Sequence, residues 1–322
     1  MQRPRILNAE PGRFSAEARA ALDAIGDVDS IEADRSFLLQ HLGAYDIVLI
    51  ALRNTIDADV LAQAKRLRCI VSPTTGLDHI DLQHAFKQGI TVLSLRGETA
   101  FLSDISSTAE LTWGLLLALL RRLPAAHADV MAGHWRRNEF YGHELKGKTL
   151  GIVGHGRLGK MVARYGLAFR MTVLAFDRSP HMADEGVRFV GLPELLSCSD
   201  VVSLHLPLND ETQGFFGAQA FRSMRPGAVF LNTARGELVD QAALLDALRS
   251  DRLAGAAVDV LAGETSPDPR WLESNELAYH ARTHDNVLIT PHIGGVTHES
   301  VAQTNMFIIR KLRTYLEGGG TP

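Results

Sequence analysis

Three side chains able to hold or move charge follow apolar, strand-like runs in the second half of the chain. Arg235 comes just after "AVFLN" (228–232), Glu264 lies five residues beyond the Asp259 that closes "GAAVD" (255–259), and His292 follows "NVLIT" (286–290). A guanidinium presents a planar fork of donors that matches a carboxylate or polarises a carbonyl oxygen. An imidazole, with an ordinary pKa of about 6.5, can take or return a proton near neutrality. A glutamate beside it favours the imidazolium and fixes the ring. An anion clamp and a paired acid/base suit the interconversion of a hydroxy acid and its keto acid, given an acceptor for the hydride.

Such residues act together only if the fold collects them. Short apolar runs alternate with helical stretches almost throughout: "RILN" (5–8), "DIVLIA" (46–51), "RCIV" (68–71) and "TVLS" (91–94), then "TLGIVG" (149–154), "TVLAF" (172–176), "VVSLHL" (201–206) and the three runs above. This alternation predicts an α/β fold with mostly parallel sheets, and the unbroken apolarity of the later runs predicts strands buried on both faces. A helical run is expected over about 104–122 and an amphipathic helix over about 297–317, before a frayed "GGGTP". Joints near 100–122 and 292–300 divide the chain into a discontinuous domain, 1–102 plus 296–322, and a second, 103–295. Ligands of open α/β sheets bind outside the carboxyl ends of the strands, where Arg235, Asp259, Glu264 and His292 are all expected.

"GIVGHGRLGK" (151–160) follows a strand-like run and opens a helix. Gly154 permits the tight turn, Gly156 lets the backbone approach a pyrophosphate, and Gly159 lets helix and strand pack closely. Backbone N–H groups of Arg157 and Leu158 would meet the phosphates at the positive end of the helix dipole. Asp177, 18 residues beyond Gly159, stands where a carboxylate accepts both ribose hydroxyls and repels a 2′-phosphate. The expected cofactor is NAD; Arg178, next in the chain, is the residue able to accept a phosphate instead. His155 reads as a spacer in the loop.

Composition excludes other classes. A net charge of −4 gives no reason to expect nucleic acid or an anionic membrane as the main partner, and the longest apolar run, "LTWGLLLALL" (111–120), is too short to span a bilayer. The first residues lack the apolar core of a signal peptide, and Cys69 and Cys198 read as inert thiols, so a cytoplasmic location is expected. His280 and His284 have a helical ligand spacing but no third ligand, so they read as surface residues and no metal site is expected.

The stretches "GHGRLGK", "SDVVSLHLPLNDETQG", "MRPGAVFLNTARGELVDQAALLDAL", "LAGAAVDV" and "ITPHIGG" resemble, in order and spacing, the D-isomer-specific 2-hydroxyacid dehydrogenases, phosphoglycerate dehydrogenase-like and in a short form without a C-terminal regulatory domain. The resemblance implies a Rossmann-type, doubly wound NAD-binding domain, a smaller flavodoxin-like substrate domain and a cleft between them. It implies that Arg235 binds the substrate carboxylate, His292 is the acid/base and Glu264 its partner. Asp259 would contact the nicotinamide carboxamide and Pro207 the adenosine side. Thr212, Thr233, Ala234, Arg235, His292, Gly294 and Gly295 complete the cofactor-binding set. In "SPTTGLDHID" (72–81) the backbone around Thr75 and Gly76 would bind the substrate carboxylate, and Arg53 is a candidate for an acidic substituent. Gly236 reads as room for a ligand near the backbone. Homodimerisation is implied as well.

The family pattern has proline after the catalytic glutamate; here Thr265 follows, with prolines only at 267 and 269. The link 93–111 is longer than the pattern, offering Arg96 or Glu98 to substrate unless it is simply a surface loop. The expected partner is a small 2-hydroxy or 2-keto acid, with no nucleic acid and no membrane. The alternatives are an NAD(H)-binding corepressor or sensor without significant turnover, and a phosphite-type dehydrogenase.

Overall fold

The computed structural model of the chain describes residues 3–179, 184–266, 268 and 270–318. Two compact units emerge, Met1–Asp104 with Val296–Pro322, and Ile105–Gly295.

In the first unit, strands β1 (Arg5–Asn8), β2 (Asp27–Ser30), β3 (Ile47–Leu49), β4 (Cys69–Val71) and β5 (Thr91–Leu93) form one parallel sheet in the order β2-β1-β3-β4-β5. That is the flavodoxin-like order. Leu7, Val48, Ile50 and Ile70 pack under Leu38 and Leu42 and under Val60 and Leu61 of the helix Ala58–Gln63. Asp34, Asp57 and Asp81 each accept from the amide three residues on and so start a helix. β2 escapes a reading by apolar runs because "DVDS" is a polar edge strand, exposed or half-buried along its length.

The C-terminal helix His298–Leu316 joins this unit although some two hundred residues separate it from β5. Asn305 donates to the Arg13 carbonyl (2.8 Å), Phe307 stacks on Phe101 (4.0 Å between centroids), and Lys311 binds the Ser94 carbonyl (3.1 Å) and the Glu98 carboxylate. Glu98 is therefore engaged in fastening the long link to this helix.

The second unit holds β6 (Thr149–Val153), β7 (Thr172–Phe176), β8 (Val187–Phe189), β9 (Val201–Leu204), β10 (Ala228–Asn232), β11 (Leu253–Val258) and β12 (Val287–Ile289). All are parallel, in the order β12-β11-β10-β9-β6-β7-β8. The chain winds outward from β6 in both directions, so the switch point lies between β6 and β9. Alternate side chains enter opposite layers: Leu174, Val202 and Phe230 join one core cluster, while Val173, Val201 and Val229 join the other. This is why these strands read as continuous apolar runs. The expected helix over 104–122 runs over Ser107–Leu120, where Trp113 stacks on Phe169 (4.7 Å) and donates to the Val162 carbonyl (3.3 Å).

Two histidine readings change. His280 is buried, with Nε2 3.2 Å from the Asn286 side-chain oxygen and its ring stacked on the exposed His284 (3.8 Å). His155 is no mere spacer: it is buried, edge-on to Phe189. Among the described residues, no helix is long and apolar enough to cross a membrane. Pro267, Pro269 and residues 319–322 lie outside the described residues.

Candidate active site

At the end of β6 the chain turns through Gly154, whose φ of +95° strains any residue with a Cβ. A side chain there would also meet the His205 carbonyl at 2.6 Å. Gly156 caps the helix Arg157–Ala168 without a side-chain bond, and a Cβ built on it meets nothing within 4 Å. The space beside Gly156 lets a ligand come close to the backbone at the helix start, where an anion is favoured. A Cβ on Gly159 would lie 2.1 Å from the Gly154 carbonyl, so glycine there sets the helix tight against the loop.

Asp177 follows β7 with its carboxylate turned to this loop: Oδ2 accepts from the His155 amide (2.8 Å) and Oδ1 from the Ser179 amide (2.9 Å). Leu158 packs into the second core layer. The Arg157 side chain reaches the Ile105 carbonyl (2.9 Å), and burial lowers its pKa.

Farther along the sheet, three strand ends converge. After β11, Asp259 is 1% exposed and its carboxylate organises the turn after β12. Oδ1 accepts from the Thr290 hydroxyl (2.6 Å) and the Ile293 amide (2.9 Å); Oδ2 accepts from the Gly294 amide (2.7 Å). The Asp259 carbonyl accepts the His292 amide (2.7 Å). Burial pushes the Asp259 carboxyl up, and the bonds from Thr290, Ile293 and Gly294 oppose it. His292 sits in the left-handed region (φ +53°), uncommon for a non-glycine residue and held here by that carboxylate. Its Nδ1 lies 2.6 Å from Oε1 of Glu264, with both side chains about four-fifths buried. A carboxylate accepts, so Nδ1 carries the hydrogen and Nε2 is left as the proton-accepting nitrogen.

The Arg235 corner follows β10. Buried Asn232 donates to the Arg235 carbonyl (2.8 Å) and accepts the Ala234 amide (3.0 Å), clamping the backbone on either side of the arginine. A Cβ on Gly236 would lie 2.0 Å from the Leu261 carbonyl carbon, and Glu237 accepts the Gly263 amide (3.2 Å). The room at Gly236 therefore belongs to the Leu261–Ala262 backbone, not to a ligand. That contact packs the arginine corner against the segment carrying Glu264.

Residues 113–294 match the family model described as D-isomer specific 2-hydroxyacid dehydrogenase, NAD binding domain. The chain belongs to this family. It is 36% identical over 288 residues to a D-3-phosphoglycerate dehydrogenase of Archaeoglobus fulgidus, covering 88% of this chain and 52% of that one. It thus spans about half the length of such relatives. It is 35% identical to a glyoxylate reductase of Thermococcus litoralis, covering 88% and 84% of the two chains. Among solved structures, a D-lactate dehydrogenase of Aquifex aeolicus complexed with NAD and lactic acid superposes with a TM-score of 0.85 at 29% identity, covering 98% and 96%.

The family's cofactor fits what this chain presents: open space beside Gly156 at the helix start, a carboxylate at Asp177 and buried polar side chains at and beyond the end of β10. Thr233 is buried against Thr112 (2.8 Å between hydroxyls). Gly294 is buried so close to Thr108 and Asp259 that a Cβ would meet both at 3.1 Å, whereas Gly295 is exposed. Pro207 and Thr212 share one turn, the threonine hydroxyl donating to the proline carbonyl (2.6 Å). Asn232, Glu237, Thr108, Thr112 and Thr290 were not singled out from sequence. Their polarity is ordinary, and only the folded backbone gives them partners.

In the first unit, Arg53 is exposed and ion-paired with Glu32. Thr75 is exposed in a loop tied by the Thr74 hydroxyl, which donates to the Gly76 carbonyl (2.7 Å). Arg96 is exposed. Among the described residues, no group of three or more His, Cys, Asp or Glu side chains could hold a metal ion.

Proposed function

We propose that this chain interconverts a D-2-hydroxy acid and its 2-keto acid with NAD. The observation that carries the proposal is the Nδ1 contact of His292 with Glu264 on a turn organised by buried Asp259, within a domain of the NAD-binding family. NAD, when bound, supplies the hydride acceptor in oxidation and the donor in reduction. Gly154, Gly156, the amides of Arg157 and Leu158, Gly159 and Asp177 hold its pyrophosphate and ribose, with Pro207 and Thr212 on the adenosine side. Thr233, Ala234, Arg235, Asp259, His292, Gly294 and Gly295 serve the nicotinamide half.

His292 takes the hydroxyl proton at Nε2 during oxidation and returns it during reduction. Glu264 holds the ring by Nδ1 and stabilises the imidazolium formed in between. Arg235 grips the substrate carboxylate and polarises the carbonyl oxygen. Arg53, Thr75 and Gly76 are the substrate residues proposed in the first unit, Arg53 exchanging Glu32 for any acidic substituent. The test is oxidation of NADH against a panel of 2-keto acids, including glyoxylate, hydroxypyruvate, phosphohydroxypyruvate and pyruvate. Turnover of one acid supports the reading; NADH binding without turnover of any overturns it.

The proposal extends to a cytoplasmic homodimer. Both cysteines are free, as in a reducing compartment. Within 123–144, Met131, Trp135 and Tyr141 are 68%, 84% and 80% exposed, apolar surface that a second copy would cover. Light scattering of the wild type and of Trp135→Glu measures this: a wild-type monomer sinks it, and a dimer weakened by the substitution supports it.

A further inference from the structure

An ion pair crosses the carboxyl end of β6. Arg178 follows Asp177 beyond β7, and Glu211 lies in the turn after β9; their side chains meet through Nη1 and Oε2. β7 and β9 are the two neighbours of β6, whose continuation is the glycine loop. The pair therefore bridges the strand ends that flank this loop.

Both ends of the bridge are anchored. Asn209 Oδ1 accepts the amides of Glu211 (3.0 Å) and Thr212 (3.1 Å), and its own amide donates to the Thr212 hydroxyl (2.9 Å). The turn presenting Glu211 is thus wound on itself. At the other end, the two Asp177 oxygens are held by the His155 and Ser179 amides, which fixes the backbone from which Arg178 departs.

We infer that Glu211 is a cofactor-discriminating residue, acting by occupying Arg178. The inference rests on the dinucleotide reading of the glycine loop and adds a third residue to Asp177 and Arg178. A 2′-phosphate arriving beside Asp177 needs a guanidinium to offset that carboxylate. Arg178 is adjacent in the chain and is the cation placed to supply one, but its charge is already met by Glu211. A phosphate must displace Glu211 from Arg178 and then stand near two carboxylates instead of one. The uncharged 2′-hydroxyl meets neither cost.

The experiment is equilibrium binding of NADH and NADPH to the whole chain, followed by nicotinamide fluorescence. It compares wild type, Glu211→Gln, and Glu211→Gln combined with Arg178→Ala. Both side chains are largely exposed, so the substitutions leave the core untouched. Glu211→Gln is expected to lower the NADPH Kd roughly 3- to 10-fold, the scale of one exposed ion pair formed with the phosphate and one repulsion relieved, with NADH affinity changed by less than about twofold. Adding Arg178→Ala is expected to remove the larger part of that improvement, because the guanidinium is what Glu211 releases, and to leave only the share due to relieved repulsion. An unchanged NADPH-to-NADH ratio in Glu211→Gln overturns the inference. So does an improvement that survives loss of Arg178 undiminished, which would reduce Glu211 to a simple repulsive charge. Failure of the wild type to bind NADH would overturn the dinucleotide reading, and this inference with it, a result distinct from either of those.

Discussion

His292 and Glu264 are 28 residues apart in sequence and 2.6 Å apart in space, Nδ1 to Oε1. The glutamate arrives from the segment after β11 and the histidine from the turn after β12. Asp259, between them in the fold, fixes that turn by four bonds, three to its carboxylate and one to its carbonyl.

His292→Ala should lower turnover about 10²- to 10⁴-fold, the usual scale for a positioned acid/base. NADH affinity measured by fluorescence should fall far less than turnover. Glu264→Gln keeps an acceptor for the Nδ1 hydrogen but removes the charge that stabilises the imidazolium formed in turnover, so kcat should fall with the KM for NADH little changed. An unaltered kcat would show that Glu264 does not support His292.

Thr290→Val removes one of the donors to Asp259 and leaves a buried acceptor less satisfied, a loss of about 1–3 kcal/mol. Because His292 rides on that turn, kcat should fall while KM for NADH changes little. Equal losses in both would place Thr290 in general stability instead.

Gly236→Ala sets a methyl against the Leu261–Ala262 backbone, 2.0 Å from its nearest carbon. Backbone on both sides leaves nothing flexible to yield, so a loss of roughly 1–3 kcal/mol is expected, seen as a lowered Tm. Turnover should fall too, since the displaced segment carries Glu264. An unchanged Tm would refute the packing role.

Acid should destabilise the second unit through two imidazoles, buried His155 and partly buried His205. Nε2 of His205 lies 2.8 Å from the Ser203 hydroxyl, Nδ1 is buried without a hydrogen-bond partner, and burial lowers the pKa from 6.5 to about 4. Burial also lowers the pKa of His155, against the pull of Asp184, whose Oδ2 lies 3.8 Å away. Between those limits the unfolded chain binds protons that the folded chain refuses, so stability rises with pH there. The contribution is complete above pH 6.5 and is lost as pH falls toward about 4. His205→Gln should flatten that part of a denaturant midpoint-versus-pH curve; an unaltered slope would exclude His205 as its source.

Much of this was legible in the chain itself. Gly154, Gly156, Gly159 and Asp177 follow from spacing, because a strand, a tight turn and a helix start impose local demands that only certain residue types meet. The buried strands were legible for a similar reason: with apolar layers on both faces, β9 is apolar or small throughout and β10 is so up to the polar Asn232 that closes it. β2 was not, since an edge strand such as "DVDS" has solvent on part of its surface and need not be apolar.

What the fold alone decided are relations between distant segments. Gly236 looked like room for a ligand, and the tertiary structure fills that room with the Leu261 backbone. His280 looked superficial and is buried beside Asn286; Glu98 looked available and is taken by Lys311. The Arg178–Glu211 bridge depends on β7 and β9 flanking β6, an adjacency set by sheet order. Sequence determined which groups could do chemistry and which backbone positions tolerate only glycine, because those constraints act within a few residues. Which group faces which was decided by packing, because a side chain's partner depends on where strands far apart in the chain come to lie.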